Sequence, residues 1–103
     1  MSHRIKRLLI IDDNKTFVMY IGLLLRRMGF EVTAAENALE GLKTLKTDPP
    51  DGVLLDVVMP DMNGTDILRH IRGDKKLAQL PVIMVSVDGN DATMNRCRQL
   101  GAS

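Results

Sequence analysis

Three aspartates and one serine stand where a protein could build a reactive site. Asp12 and Asp13 follow the apolar run Leu8-Leu9-Ile10-Ile11. Asp56 follows Gly52-Val53-Leu54-Leu55, and Ser86 follows Pro81-Val82-Ile83-Met84-Val85. Each lies where a buried strand runs out. Open parallel sheets bind ligands beyond the carboxyl ends of their strands, at the switch point in strand order. If these strands are neighbours, three carboxylates and a hydroxyl share one crevice. Close carboxylates repel one another, so the grouping is costly unless a cation neutralises it. Mg2+ suits such a site, because it takes oxygen ligands, accepts one or two carboxylates and keeps several waters. Asp56 is the candidate reactive residue. It interrupts the apolar segment Val53 to Met59, and an aspartate carboxylate can act as a nucleophile and form an acyl phosphate. A cation there lowers the charge repulsion met by an incoming phosphoryl group. The turn Asp12-Asp13-Asn14-Lys15 contains no glycine, which disfavours a nucleotide-phosphate cradle.

The elements that must position these residues are legible as alternating apolar strands and amphipathic helices. After the first strand, Asn14 or Asp13 can cap a helix from Lys15 to Met28. Its apolar stripe is Phe17, Ile21, Leu24 and Met28, widened by Val18 and Leu25, with Gly29 as a C-terminal stop. A weaker strand spans Phe30 to Ala34. A second helix spans Ala38 to Lys46, with Leu39, Leu42 and Leu45 on one face, and Pro49-Pro50 ends that unit. The third strand runs from Gly52 onto Asp56. Turn residues crowd the end of the following loop, Val57 to Gly64. A third helix covers Thr65 to Arg72, with Ile67, Leu68 and Ile71 inward, and Lys75 to Leu80 form a connector. The fourth strand is Pro81 to Val85, and a fourth helix spans Ala92 to Leu100. Four strand-helix units predict an α/β fold, a doubly wound parallel sheet covered on both faces.

Composition narrows the class. At 103 residues the chain fits one domain, and 45% hydrophobic with 26% charged residues is ordinary for a globular protein. No apolar run is long enough to span a bilayer, and Asp12 and Asp13 interrupt any signal-peptide core, so a cytoplasmic location is the expectation. The net charge is +1 with no basic block, so no binding to nucleic acid is expected. One cysteine, Cys97, excludes an internal disulfide and is read as a small apolar residue. His3 and His70 are expected to be exposed. The methionines are read as gap-fillers in a core with only three aromatics, Phe17, Tyr20 and Phe30.

Taken together, Ile11-Asp12-Asp13, Leu55-Asp56-Val57-Val58-Met59-Pro60-Asp61-Met62-Asn63-Gly64, Val85-Ser86 and Leu100-Gly101-Ala102 resemble the receiver domain of two-component response regulators. The resemblance covers nearly the whole chain in order and spacing. It implies a flavodoxin-like fold with strand order 2-1-3-4-5, of which this chain is expected to carry 2-1-3-4. It implies that Asp56 accepts a phosphoryl group from a sensor histidine kinase or phosphotransfer protein. It further implies that Asp12, Asp13, Asp56 and the Val58 backbone carbonyl hold Mg2+, with Asp12 acting largely through water. Ser86 is implied as the switch hydroxyl, and a downstream effector protein or domain as the reader. A dimer through the region of strand 4 and helix 4 is also among the expected associations. The family's lysine after a fifth strand has no counterpart here, because the given chain stops at Ser103. The domain is therefore expected to span residues 1–103 and to be incomplete at its C-terminus.

Blander readings stand beside these. Asp12 and Asp13 could simply cap the first helix, and Ser86 taken alone is an ordinary strand-end hydroxyl. Two other functions compete with the signalling receiver, which is not itself a metabolic enzyme. One is a truncated receiver acting as an interaction or assembly module, with the fourth strand as a pairing edge. The other is a small Mg2+-dependent phosphohydrolase. It is disfavoured because Val58 stands where a second aspartate is needed as acid and base.

Overall fold

The computed structural model describes residues 5–56, 59 and 61–85. The elements run β1 (Arg7–Ile11), α1 (Lys15–Arg27), β2 (Glu31–Ala35), α2 (Ala38–Thr47), β3 (Gly52–Asp56), α3 (Gly64–Gly73) and β4 (Val82–Val85). The strands form one parallel sheet in the order β2-β1-β3-β4, the doubly wound arrangement expected from the alternation. The chain leaves β1 in one direction to reach β2 and crosses back to β3 on its other side. The switch point therefore lies between β1 and β3. The predicted fourth helix, Cys97 and Ser86 lie outside the described residues.

Parity along the strands sets the two faces of the sheet. Leu9 and Ile11 of β1, Val53 and Leu55 of β3, and Val82 and Met84 of β4 point into one core with Ala38, Leu45, Ile67, Leu68 and Ile71. Most of these are fully buried, and each such Val, Leu or Ile side chain contributes about 1.5–3 kcal/mol on leaving water. Leu8 and Ile10 face the other way. Val32 pairs with Leu8 and lies near Gly22, which places α1 over that second face.

The helices contact the sheet through smaller residues than the apolar stripes suggested. In α1 the inward residue is Gly22, flanked by half-buried Phe17, Val18, Ile21 and Leu25. Leu24 and Met28, expected inward, are 37% and 71% exposed. In α2 the buried positions are Ala38, Gly41 and Leu45, with Leu42 against the core, whereas Leu39 is 74% exposed. Close approach is the reason: a Cβ on Gly41 would lie 2.6 Å from Ile11 Cδ1. A helix that seats on glycine and alanine turns its neighbouring leucine outward. The methionines divide similarly. Met59 and Met84 are buried and Met62 packs on the core, but Met19 and Met28 are exposed.

The ends of the elements follow local chemistry. Asn14, Asn37 and Asn63 are the N-caps of α1, α2 and α3, each accepting a backbone N–H with its side-chain oxygen. Gly29 adopts φ 98°, the left-handed conformation that stops α1 as expected. In the connector after α3, Leu77 is buried. The Arg72 guanidinium donates to the carbonyls of Ala78 at 3.1 Å and Leu80 at 2.6 Å. That staple holds the approach to β4.

Candidate functional site

The site is built on the carboxyl ends of the two central strands. Asp12 follows β1 directly. Its N–H donates to Ala35 O at 3.1 Å, extending the ladder to β2 by one bond. Its carboxylate accepts the Asn14 N–H at 2.9 Å, a tight Asx turn that fixes the side chain's direction. Among the described residues Asp12 is the only buried polar one, at 7% exposure. Asp13 next to it is exposed. Asn14 takes the capping role, accepting the Phe17 N–H at 3.0 Å. The blander expectation of a simple cap therefore belongs to Asn14, and the Asp13 carboxylate is not used for it. Asp56 ends β3, half-buried and paired in register with Val85.

These placements bring one carboxylate oxygen from each of Asp12, Asp13 and Asp56 to within 4.8 Å of one another. Among the described residues no other group of three such side chains converges in this way. Oxygens bound to one Mg2+ at about 2.1 Å lie roughly 3–4 Å apart, so the cluster has the dimensions of a single ion with its water shell. The donor set also fits. All three are hard oxygen ligands of graded exposure, leaving room for water. A cavity of about 510 Å³ opens beside Asp12, walled by Lys15, Val18, Met19, Glu36 and Glu40 among others.

The loop that leaves Asp56 is tied down at several points. Met59 is buried in the core and Met62 packs against it. Asn63 accepts the Thr65 N–H and hydroxyl, both at 3.1 Å, and so caps α3. Sequence reasoning did not single out Asp61. Its two oxygens accept the N–H groups of Ala38 at 3.1 Å and Leu39 at 3.2 Å, in the first turn of α2. The Ala38 N–H, opposed by partial desolvation and assisted by Leu39, holds the Asp61 carboxyl below the usual carboxylate range. The sequence signal was only an acid in a turn-rich loop, which says nothing about a partner more than twenty residues away.

Comparison with known proteins decides the family. The model of the response regulator receiver domain matches residues 8–103. This chain is a response regulator receiver domain. It is 32% identical over 99 residues to the chemotaxis protein CheY1 of Helicobacter pylori, covering 94% of this chain and 80% of that protein. It is 36% identical over 98 residues to CheY-3 of Vibrio cholerae, covering 94% of this chain and 75% of that one. In the longer transcriptional regulatory protein PhoP of Bacillus subtilis the match covers only 40% of the protein, at 29% identity. Among solved structures, the CheY-like receiver domain protein of Methanospirillum hungatei superposes with a TM-score of 0.87. It is 29% identical, with 97% of this chain and 78% of that one covered. Receivers are signalling domains of two-component systems, and this chain has their fold, with Asp12, Asp13 and Asp56 clustered at the carboxyl ends of its central strands. Nothing among the described residues or in these likenesses favours the competing reading as an interaction module. No helix among the described residues is long and apolar enough to cross a membrane.

Proposed function

We propose that Asp56 is the phosphoacceptor of this receiver and takes the phosphoryl group of a sensor histidine kinase or phosphotransfer protein. The observation that carries this reading is the meeting of Asp12, Asp13 and Asp56 within 4.8 Å at the β1–β3 switch point. In the step, an Asp56 carboxylate oxygen forms a bond to phosphorus as the bond from phosphorus to the donor's imidazole nitrogen breaks. The leaving imidazole keeps that electron pair and takes up a proton. Asp12, Asp13, Asp56 and the backbone carbonyl of Val58 are the proposed ligands of Mg2+, which when bound screens the phosphoryl oxygens from the carboxylates. Val58 and Ser86 lie outside the described residues. Their roles, Ser86 as the hydroxyl that turns toward the bound phosphoryl group, rest on the family resemblance. An effector protein or domain in the cytoplasm then reads the altered region after β4, where a dimer contact is also proposed.

Half-burial of Asp56 supports the assignment. The carboxylate is open enough to meet a donor, yet its strand is held on both sides by β1 and β4. Asp12 is anchored by the Asn14 N–H and is suited to orient water, while exposed Asp13 is suited to direct ligation. The test is incubation with a small acyl-phosphate donor and Mg2+, followed by intact mass. Wild type is expected to gain one phosphoryl group, and Asp56→Asn and Mg2+-depleted samples none. An adduct that persists in Asp56→Asn refutes the assignment.

A further inference from the structure

Asp61 closes a ring of contacts around the acidic site. Asp12 is bonded through its N–H to Ala35, the last residue of β2. Three residues later the chain enters α2, whose first two N–H groups are held by the Asp61 carboxylate. Asp61 follows Asp56 by five positions, with Met59 between them buried in the core. The circuit therefore runs Asp12, Ala35, Ala38 and Leu39, Asp61, Asp56. It joins the two strand ends that supply the carboxylates by a route outside the β1–β3 ladder.

The capping of α2 is divided between two sources. Asn37, the local cap, accepts the Glu40 N–H at 2.8 Å. The N–H groups of Ala38 and Leu39, which a helix leaves without intrahelical partners, are satisfied by a carboxylate 22 and 23 residues further along the chain. A negative charge at a helix N-terminus is also favoured by the helix dipole. The tie is thus made by two charge-assisted bonds, the stronger kind.

We propose that Asp61 is a positioning residue for the phosphoacceptor site, holding the chain that leaves Asp56 against α2 so that the Asp56 carboxylate meets those of Asp12 and Asp13. The proposal rests on the reading of that cluster as the Mg2+ site. Asp61 touches neither the ion nor the phosphoryl donor in this role. It acts through the backbone, as groups that orient metal ligands from behind do.

A second carboxylate provides an internal control. Asp51 accepts the N–H groups of Lys6 and Arg7, both at 2.9 Å, at the opposite end of the sheet. It bridges two backbone amides as Asp61 does, far from the acidic cluster. Mg2+ affinity is measured by calorimetry for wild type, Asp61→Ala, Asp61→Asn, Asp51→Ala and Asp13→Asn. Asp61→Ala is expected to weaken Mg2+ binding about tenfold. Asp61→Asn, which keeps one accepting oxygen, is expected to fall between it and wild type. Asp51→Ala is expected to bind Mg2+ as wild type does. Amide NMR gives a second readout: adding Mg2+ shifts the Ala38 and Leu39 resonances in wild type and leaves them in place in Asp61→Ala. Equal Mg2+ affinity in Asp61→Ala and Asp51→Ala overturns the proposal while leaving the metal site intact. Failure of wild type to bind Mg2+, or undiminished binding by Asp13→Asn, overturns the metal-site reading itself and the proposal with it.

Discussion

Neutralising Asp13 should reverse the order of stability of two proteins according to whether Mg2+ is present. Asp12 and Asp13 are adjacent in sequence, so their repulsion exists in the unfolded chain as well as the folded one. Folding adds the approach of Asp13 to Asp56, with oxygens within 4.8 Å. Because Asp13 is exposed, a water-like dielectric applies, and two charges at that separation repel by about 1 kcal/mol. Asp13→Asn removes that repulsion. In chelator it should therefore melt above wild type by about 4–8 °C, the shift that 1 kcal/mol produces in a domain of this size. Adding Mg2+ to ten times its dissociation constant stabilises wild type by about 1.4 kcal/mol, or roughly 6–11 °C. The variant lacks a ligand and should gain little. Wild type should then be the more stable of the two. Far-UV circular dichroism is the assay, since the chain has no tryptophan. The reasoning fails if Asp13→Asn is less stable than wild type in chelator, or if Mg2+ raises both melting temperatures equally.

Three further outcomes are expected. The backbone N–H groups of Arg7 and Lys6 hold the Asp51 carboxyl below its ordinary range. Its contribution to stability is therefore full above the unfolded-state value near 4 and is lost as pH falls through the lower folded-state value. Asp51→Asn should flatten the acid limb of a melting-temperature profile below about pH 4, and an unchanged limb would count against the assignment. Gly41→Ala places a Cβ 2.6 Å from Cδ1 of the fully buried Ile11. The overpacking costs about 1–3 kcal/mol and outweighs the gain of up to about 1 kcal/mol in helix propensity, so urea unfolding should show a lower midpoint. Asn14→Ala removes the cap of α1 and should cost about 1 kcal/mol. It should also loosen the turn that carries Asp12 and Asp13, seen as faster amide exchange at Phe17.

Much of the fold was readable because its signals are local. A run such as Leu8 to Ile11 is too short and too apolar to be anything but a buried strand. Asn14 and Gly29 mark the ends of α1 by chemistry confined to a few residues. Helix faces were read less well. Leu24, Met28 and Leu39 fitted apolar stripes but lie exposed, because α1 and α2 rest on Gly22, Ala38 and Gly41. A hydrophobic pattern registers large side chains, not the small ones that permit close approach.

The candidate site divides along the same line. The sequence alone determined that Asp12, Asp13 and Asp56 stand at strand ends, since each follows an apolar run directly, and it carried the resemblance that named their chemistry. The tertiary structure sets β1 beside β3, an adjacency that the residues left open and the resemblance implied, and so brings the three carboxylates within reach of one ion. It alone paired Asp61 with the first turn of α2. Strand order and long-range hydrogen bonds depend on how the whole chain packs, and the neighbours of a residue in sequence carry no record of partners brought to it by folding.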